Sequence, residues 1–261
     1  MNISLLHKTA LVCGSSQGIG LASAIELALL GANCVLFARN EMALQTAILQ
    51  LDTSLGQTHQ YLLADFNDAT QVKMAIEKFV HNNNAHILIN NSGGPKGGPI
   101  VHAAEDEFIN TFNRHLICNH ILTKAVVPSM QAASYGRIIN IISTSVKIPL
   151  PNLGVSNTIR GAVASWAKTM ANELGQFNIT VNNVLPGATN TQRLQSIIQN
   201  NATKKATNIA TIEAEMQKEI PAKRFADAAE IASVVAFLAS PAASYVNGVS
   251  IPVDGGRTGS M

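Results

Sequence analysis

The sequence predicts an α/β fold, a single doubly wound domain with a mostly parallel, seven-stranded sheet and helices on both faces. Three observations lead to it. Short apolar segments alternate with longer helix-patterned ones from start to finish. The strand-like segments are apolar at successive positions, the pattern of strands buried on both faces. The first of them runs into a glycine-rich turn, and a helix follows at once.

In order, Thr9–Cys13 reads as a buried strand and Ile19–Leu30 as a helix ended by Gly31. Cys34–Phe37 and Glu41–Leu51 form the next pair, then Tyr61–Leu63 with Asp68–Val80. Ile87–Ile89 precedes one long helix near Glu105–Met130, and Arg137–Ile142 precedes the helix Val155–Leu174. Thr180–Leu185, the helix Asp227–Ala239 and the strand Val249–Val253 close the series. Asp227 with Glu230 reads as a capping box. No linker or repeat divides the chain, so residues 1–261 are read as one domain. The polar stretch Gly187–Ala226 is expected to be irregular, and a long segment of that kind in a compact domain reads as a flap over a site.

Composition narrows the function classes. The chain has 261 residues, 47% hydrophobic and 13% charged, with a net charge of +2. That composition fits a globular protein and gives no electrostatic footprint for nucleic acid or an acidic membrane. No run approaches the roughly 18 apolar residues of a membrane span. Cys13, Cys34 and Cys118 are isolated and expected to be buried reduced thiols. With no leader-like N-terminal segment, the expectation is a cytoplasmic protein. No metal site is expected.

The turn is Gly14-Ser15-Ser16-Gln17-Gly18-Ile19-Gly20. Glycines there allow backbone N–H groups to approach a phosphate, and the helix N-terminus adds partial positive charge. Gly14, Ser16, Gln17, Gly18, Ile19 and Gly20 are the candidate pyrophosphate contacts of a nicotinamide dinucleotide. About 20 residues further on, the position that would carry an acid for a ribose 2′-hydroxyl is Ala38, and Arg39 follows. A guanidinium suits a 2′-phosphate, so NADP(H) is expected over NAD(H). The other reading of Arg39 is a solvated residue ahead of a helix.

The spacing G-x-x-x-G-x-G, with Asn90-Asn91-Ser92-Gly93, Pro186-Gly187 followed by Thr191, and Asp254-Gly255-Gly256, resembles the short-chain dehydrogenase/reductase family. The resemblance covers almost the entire chain and implies a Rossmann-type domain. It also implies Asp65 and Phe66 beside an adenine, Asn91 and Gly93 along the cofactor, and Pro186, Gly187, Thr189 and Thr191 near the nicotinamide. Asp65 has an alternative reading as a loop cap, and Asn90 as a tie between strands.

The resemblance breaks where the family keeps its chemistry. Its serine is present as Ser143, but thirteen residues later stands Ser156 in place of tyrosine. Arg160 replaces the lysine four residues beyond, and His115 stands at the position of the family's asparagine. A serine hydroxyl is a poor acid near neutral pH, and arginine stays charged. A replacement proton source would be His115, Lys147, or a water held by Ser143, Ser156 and Arg160; His115 also reads as a packed histidine. Asn90-Asn91-Ser92-Gly93-Gly94-Pro95 with Ser156-Asn157-x-x-Arg160 resembles a divergent branch likened to 3-oxoacyl-acyl-carrier-protein reductases. The expected function is NADP(H)-dependent reduction of a small carbonyl or acyl-thioester substrate by a homotetramer. The alternative is a nucleotide-binding sensor or partner subunit without turnover.

Overall fold

Seven parallel strands form one sheet in the order β3-β2-β1-β4-β5-β6-β7, in a computed structural model that describes residues 1–259. They are β1 (Thr9–Cys13), β2 (Asn33–Ala38), β3 (Gln60–Leu63), β4 (Ile87–Asn90), β5 (Gly136–Ile141), β6 (Ile179–Pro186) and β7 (Ser250–Val253). Every pairing is parallel, so the sheet is wholly rather than mostly parallel. The order reverses between β1 and β4, the crevice where open α/β sheets bind ligands at the C-terminal strand ends.

Helices α1 (Gly18–Leu29), α2 (Glu41–Ile48) and α9 (Ala228–Ala239) share one apolar core with the sheet. On the opposite side lie α3 (Ala69–Val80), α5 (Cys118–Ala132) and α6 (Gly154–Leu174). Strand β1 shows why both faces must be apolar. Ala10 and Val12 join the first core, while Leu11 and Cys13 join the second, the two-residue period of a strand. All three cysteines are buried and unpaired.

Two expected elements differ. The long helix near Glu105–Met130 is interrupted: α4 (Glu105–Phe112) passes through a π turn at Asn113–Ile117 into α5. The expected irregular stretch Gly187–Ala226 contains α7 (Gln192–Lys204) and α8 (Ile209–Lys218). Thr191 and Asn208 cap these helices with side-chain oxygens. Leu194, Ile198, Ala202, Ile212, Ile220 and Phe225 form a small core of their own. The segment is therefore a packed helical unit. The Asp227/Glu230 capping box is present, with Arg224 donating to both carboxylate oxygens of Glu230 at 2.6 and 2.7 Å.

Candidate functional site

The strand ends gather the sequence-predicted residues along one edge of the sheet. After β1, Gly14 and Gly18 take φ of +57° and +58°, a region that disfavours side chains with a Cβ. A Cβ on Gly14 would stand 2.7 Å from the Asn91 carbonyl oxygen, and one on Gly20 would collide with the Gly14 carbonyl. Asn91 Nδ2 donates to the carbonyls of Cys13 and Gly14 at 3.3 and 3.2 Å. The Ser15 hydroxyl accepts from Phe37 N at 2.9 Å. The turn is thus fixed by its neighbours before any ligand arrives. Helix α1 begins after Gln17, whose side chain makes no capping bond, and no acidic residue occupies its first turn. Its N–H groups suit a phosphate. A Cβ at Gly14 or Gly20 would press on Asn91 or on the Gly14 carbonyl and break up the turn that exposes these N–H groups.

Arg39 follows β2 and is largely exposed, with Nη1 3.4 Å from Asp65 Oδ2. Asp65 Oδ1 also accepts from the Asn67 backbone and amide at 3.0 and 2.9 Å, so the loop-cap reading of Asp65 is realised. Burial raises its pKa, but the bonds from Asn67 and the charge of Arg39 prevail and hold it below the ordinary value. The Phe66 ring faces inward, edge-on to Phe37 with centroids 5.3 Å apart. Its side chain belongs to the core, as does much of Ile19. Ser16 and Gln17 lie in the turn itself. At the end of β6, Gly187 packs so closely on Asp254 that a Cβ would come within 2.7 Å. Thr189 is buried and donates to the Gly187 carbonyl at 3.1 Å. Thr191 caps α7 and faces Gly18, 3.4 Å from where its Cβ would be.

Asn90 does tie strands together, and it is one of a series. Asn90 Nδ2 donates to Asn140 Oδ1 at 2.9 Å, Asn140 to Asn183 at 2.9 Å, and Asn183 to Ser250 Oγ at 3.0 Å. These residues sit opposite one another in the strand register. A polar ladder thus crosses β4 to β7 beneath the site. Sequence reasoning missed three of its members, although an asparagine in each of two apolar strands was the available signal.

Ser143 follows β5 and caps a short 3₁₀ turn, its Oγ accepting from Ser145 N at 3.1 Å. Arg160 is 8% exposed, and its Nη1 donates to the Ile141 carbonyl at 2.9 Å. That bond sets the guanidinium at the same strand end as Ser143. Ser156 lies one helical turn earlier on the same face of α6. Burial and the nearby Arg193 charge lower the Arg160 pKa to about 10, which leaves it protonated at neutral pH. His115 sits inside the π turn and is buried, with Nδ1 2.7 Å from Ser92 Oγ and Nε2 without a partner. Burial, Arg160 and Arg114 push its pKa well below the usual value, against a weaker opposing pull from Gly93. The imidazole is therefore neutral at pH 7. Lys147 is exposed on the turn after Ser143.

A glycine cradle at the first strand end, beside a serine and a buried cation at the fifth, defines a dinucleotide-binding oxidoreductase of the doubly wound class. Residues 14–258 match the family profile described as Enoyl-(Acyl carrier protein) reductase. The 3-oxoacyl-[acyl-carrier-protein] reductase FabG of Pseudomonas aeruginosa is 34% identical over 257 residues, covering 97% of this chain and 98% of the relative. Oxidoreductase UcpA of Escherichia coli K12 is 32% identical, covering 97% and 95%. Among solved structures, YwfH, an NADPH-dependent reductase involved in bacilysin biosynthesis, has a TM-score of 0.91 at 29% identity, with 97% and 99% covered. L-sorbose reductase from Gluconobacter frateurii, complexed with NADPH and L-sorbose, has a TM-score of 0.93 at 29% identity over 100% of both chains. The chain belongs to the short-chain dehydrogenase/reductase family of NAD(P)-dependent oxidoreductases that act on CH–OH groups. No helix among the described residues is long and apolar enough to cross a membrane.

Proposed function

We propose that the protein is an NADP(H)-dependent reductase of small carbonyl or 3-oxoacyl substrates with an altered proton-donor site. The observation that supports this is the Arg160–Ile141 bond, which holds a buried cation at the end of the strand that leads into Ser143. When bound, the nicotinamide supplies hydride chemistry at a carbonyl carbon. Gly14, Ser16, Gln17, Gly18, Ile19 and Gly20 would hold its pyrophosphate, and Arg39 its 2′-phosphate. Asp65 and the Phe66 backbone would flank the adenine. Asn91, Gly93, Pro186, Gly187, Thr189 and Thr191 would line the remainder. Ser143 would orient the carbonyl, and Arg160 would bind the ribose and stabilise developing negative charge. Ser156 and His115 would hold a water that relays a proton from solvent to the alkoxide.

General-acid catalysis is worth about 10²–10⁴-fold, so loss of a tyrosine slows the reaction without abolishing binding. Generic ketones and 3-oxoacyl thioesters are expected to turn over slowly. Ser156→Tyr combined with Arg160→Lys is expected to raise NADPH-dependent reduction by up to about 10²-fold, the ring packing imperfectly. Each single change should gain little, because a phenol without its lysine keeps a pKa near about 10.

A second reading, a nucleotide-binding sensor or partner subunit, is supported by His115, which burial and nearby arginines keep neutral, and by Ser156, which the family resemblance sets at the position of the tyrosine. Tight NADP(H) binding with no turnover by the native chain or the double variant would select it. Brisk native turnover abolished by His115→Ala would instead make His115 the acid.

A further inference from the structure

Two guanidiniums hold the loop Ser92–Pro95, a third stands at the end of the neighbouring strand β5, and none meets a carboxylate. Arg193 Nη2, from the start of α7, donates to the Pro95 carbonyl at 2.6 Å. Arg114 Nη1, from the π turn, donates to the Gly93 carbonyl at 3.3 Å, and its Nη2 to the Asn67 amide oxygen. Arg160 is held at the end of β5 by its single bond to the Ile141 carbonyl. Among the described residues, the arginines in ion pairs are Arg39, Arg224 and Arg257, all elsewhere. Arg137, also buried without a carboxylate, is accommodated differently: it bonds three carbonyls and stacks on Tyr135. Arg160 has one carbonyl and no aromatic partner.

Of the three only Arg160 is buried; burying a charge without a charged partner is costly, and crowding like charges adds to that cost. The crowding is felt: Arg193 depresses Arg160, while Arg160 and Arg114 depress His115. A bound anion would relieve it. For Arg160 the cofactor's phosphates are not the candidate. Their cradle is at the end of β1, and Arg160 is tied to β5, two strands away in the sheet order, or about 10 Å.

We propose that Arg193 and Arg114, which bond the Pro95 and Gly93 carbonyls of one loop, bind a carboxylate carried by the substrate itself, with the buried Arg160 contributing to the field. The substrate class is then an oxo acid rather than a neutral ketone. This inference rests on the reductase reading for what happens after binding, but the site itself does not. Guanidinium–carboxylate pairs are bidentate and charge-assisted, so the discrimination should be large.

The test is calorimetric titration of the full-length protein saturated with NADP⁺, where no reduction follows binding. The probes are 2-oxohexanoate and 2-hexanone, which differ by the carboxylate. The oxo acid should bind at least about 10-fold more tightly, and Arg193→Gln should remove about 10–100-fold of its affinity. NADP⁺ affinity should change less than about 2-fold. Arg193→Lys keeps the charge and loses the planar fork, so it should fall between; it also carries the test should the glutamine variant fold poorly. Equal binding of the two probes would overturn the proposal. So would an Arg193→Gln variant that loses NADP⁺ affinity while keeping the oxo acid, since the cluster would then serve the cofactor. Discrimination in binding without reduction by NADPH would sustain this site and defeat the reductase reading alone.

Discussion

Arg39 and Asp65 meet at 3.4 Å with most of the arginine side chain in solvent. An exposed pair of this kind is worth about 0–1 kcal/mol. A 2′-phosphate offers two charge-assisted bonds to the same guanidinium, which outweighs it. NADP(H) should therefore bind more tightly than NAD(H), and Arg39→Ala should erase most of the difference. Equal calorimetric affinities in the native protein would reject the assignment. His115 gives a second residue-scale prediction. Its folded pKa is lowered, so the unfolded chain takes up the proton first as pH falls below about 6.5. The stability it contributes is fully present above that pH and is lost between there and the lower folded value. Urea unfolding of the native protein should thus weaken from pH 7 to pH 5.5 more than that of His115→Gln. Parallel losses would mean that other groups set the acid sensitivity. The glycines, Arg39 and Ser143 were legible as single residues because each follows an apolar strand. The crowding of Arg114, Arg160 and Arg193 was not, because these residues come from three helical segments far apart in sequence.

Elements carry information that single residues do not. All seven strands were legible, since continuous apolar runs bounded by turns have few other interpretations. The π turn at Asn113–Ile117 was hidden, because one extra residue per turn shifts an apolar pattern too little to stand out. It matters for the site, since it seats His115 against Ser92. Helices α7 and α8 were hidden for another reason. Leu194, Ile198 and Ala202 recur every four residues, but Asn200, Asn201, Lys204 and Lys205 around them suggested a loop. The asparagine ladder is the element with the clearest energetic test. Asn140 is fully buried and bonds on both sides, to Asn90 and Asn183. Asn140→Ala would orphan two buried amides, each costing about 1–3 kcal/mol. A loss of about 2–6 kcal/mol in denaturant unfolding is expected, together with looser cofactor binding because Asn91 adjoins the ladder. A loss below about 0.5 kcal/mol would show that water replaces the missing amide.

At the scale of the whole molecule, two groups of exposed apolar side chains among the described residues bear on assembly. One is at α4 and the turn before it, where Val101 is 80% exposed and Ile100, Ile109 and Phe112 are also exposed. The other is beside β7, an edge strand of four residues, where Tyr245 is fully exposed and Val249 partly so. Edge strands and exposed apolar patches are commonly covered in assemblies. Two separate self-complementary patches on one chain generate a closed tetramer, whereas one generates only a dimer. The expected state is therefore a homotetramer, with the first patch pairing across one two-fold axis and the second across another. Light scattering coupled to size exclusion should report the tetramer at micromolar concentration. Ile109→Asp with Phe112→Asp should leave a dimer held by the β7 face, and Tyr245→Asp with Val249→Asp a dimer held by the α4 face. All four changes together should give a folded monomer, because these side chains contribute little to either sheet core. The α4 patch also lies just ahead of the π turn that carries Arg114 and His115. Its variants should therefore weaken oxo-acid binding more than the β7 variants do. A native monomer would remove the assembly, and equal effects of the two pairs on binding would remove the link between α4 and the site.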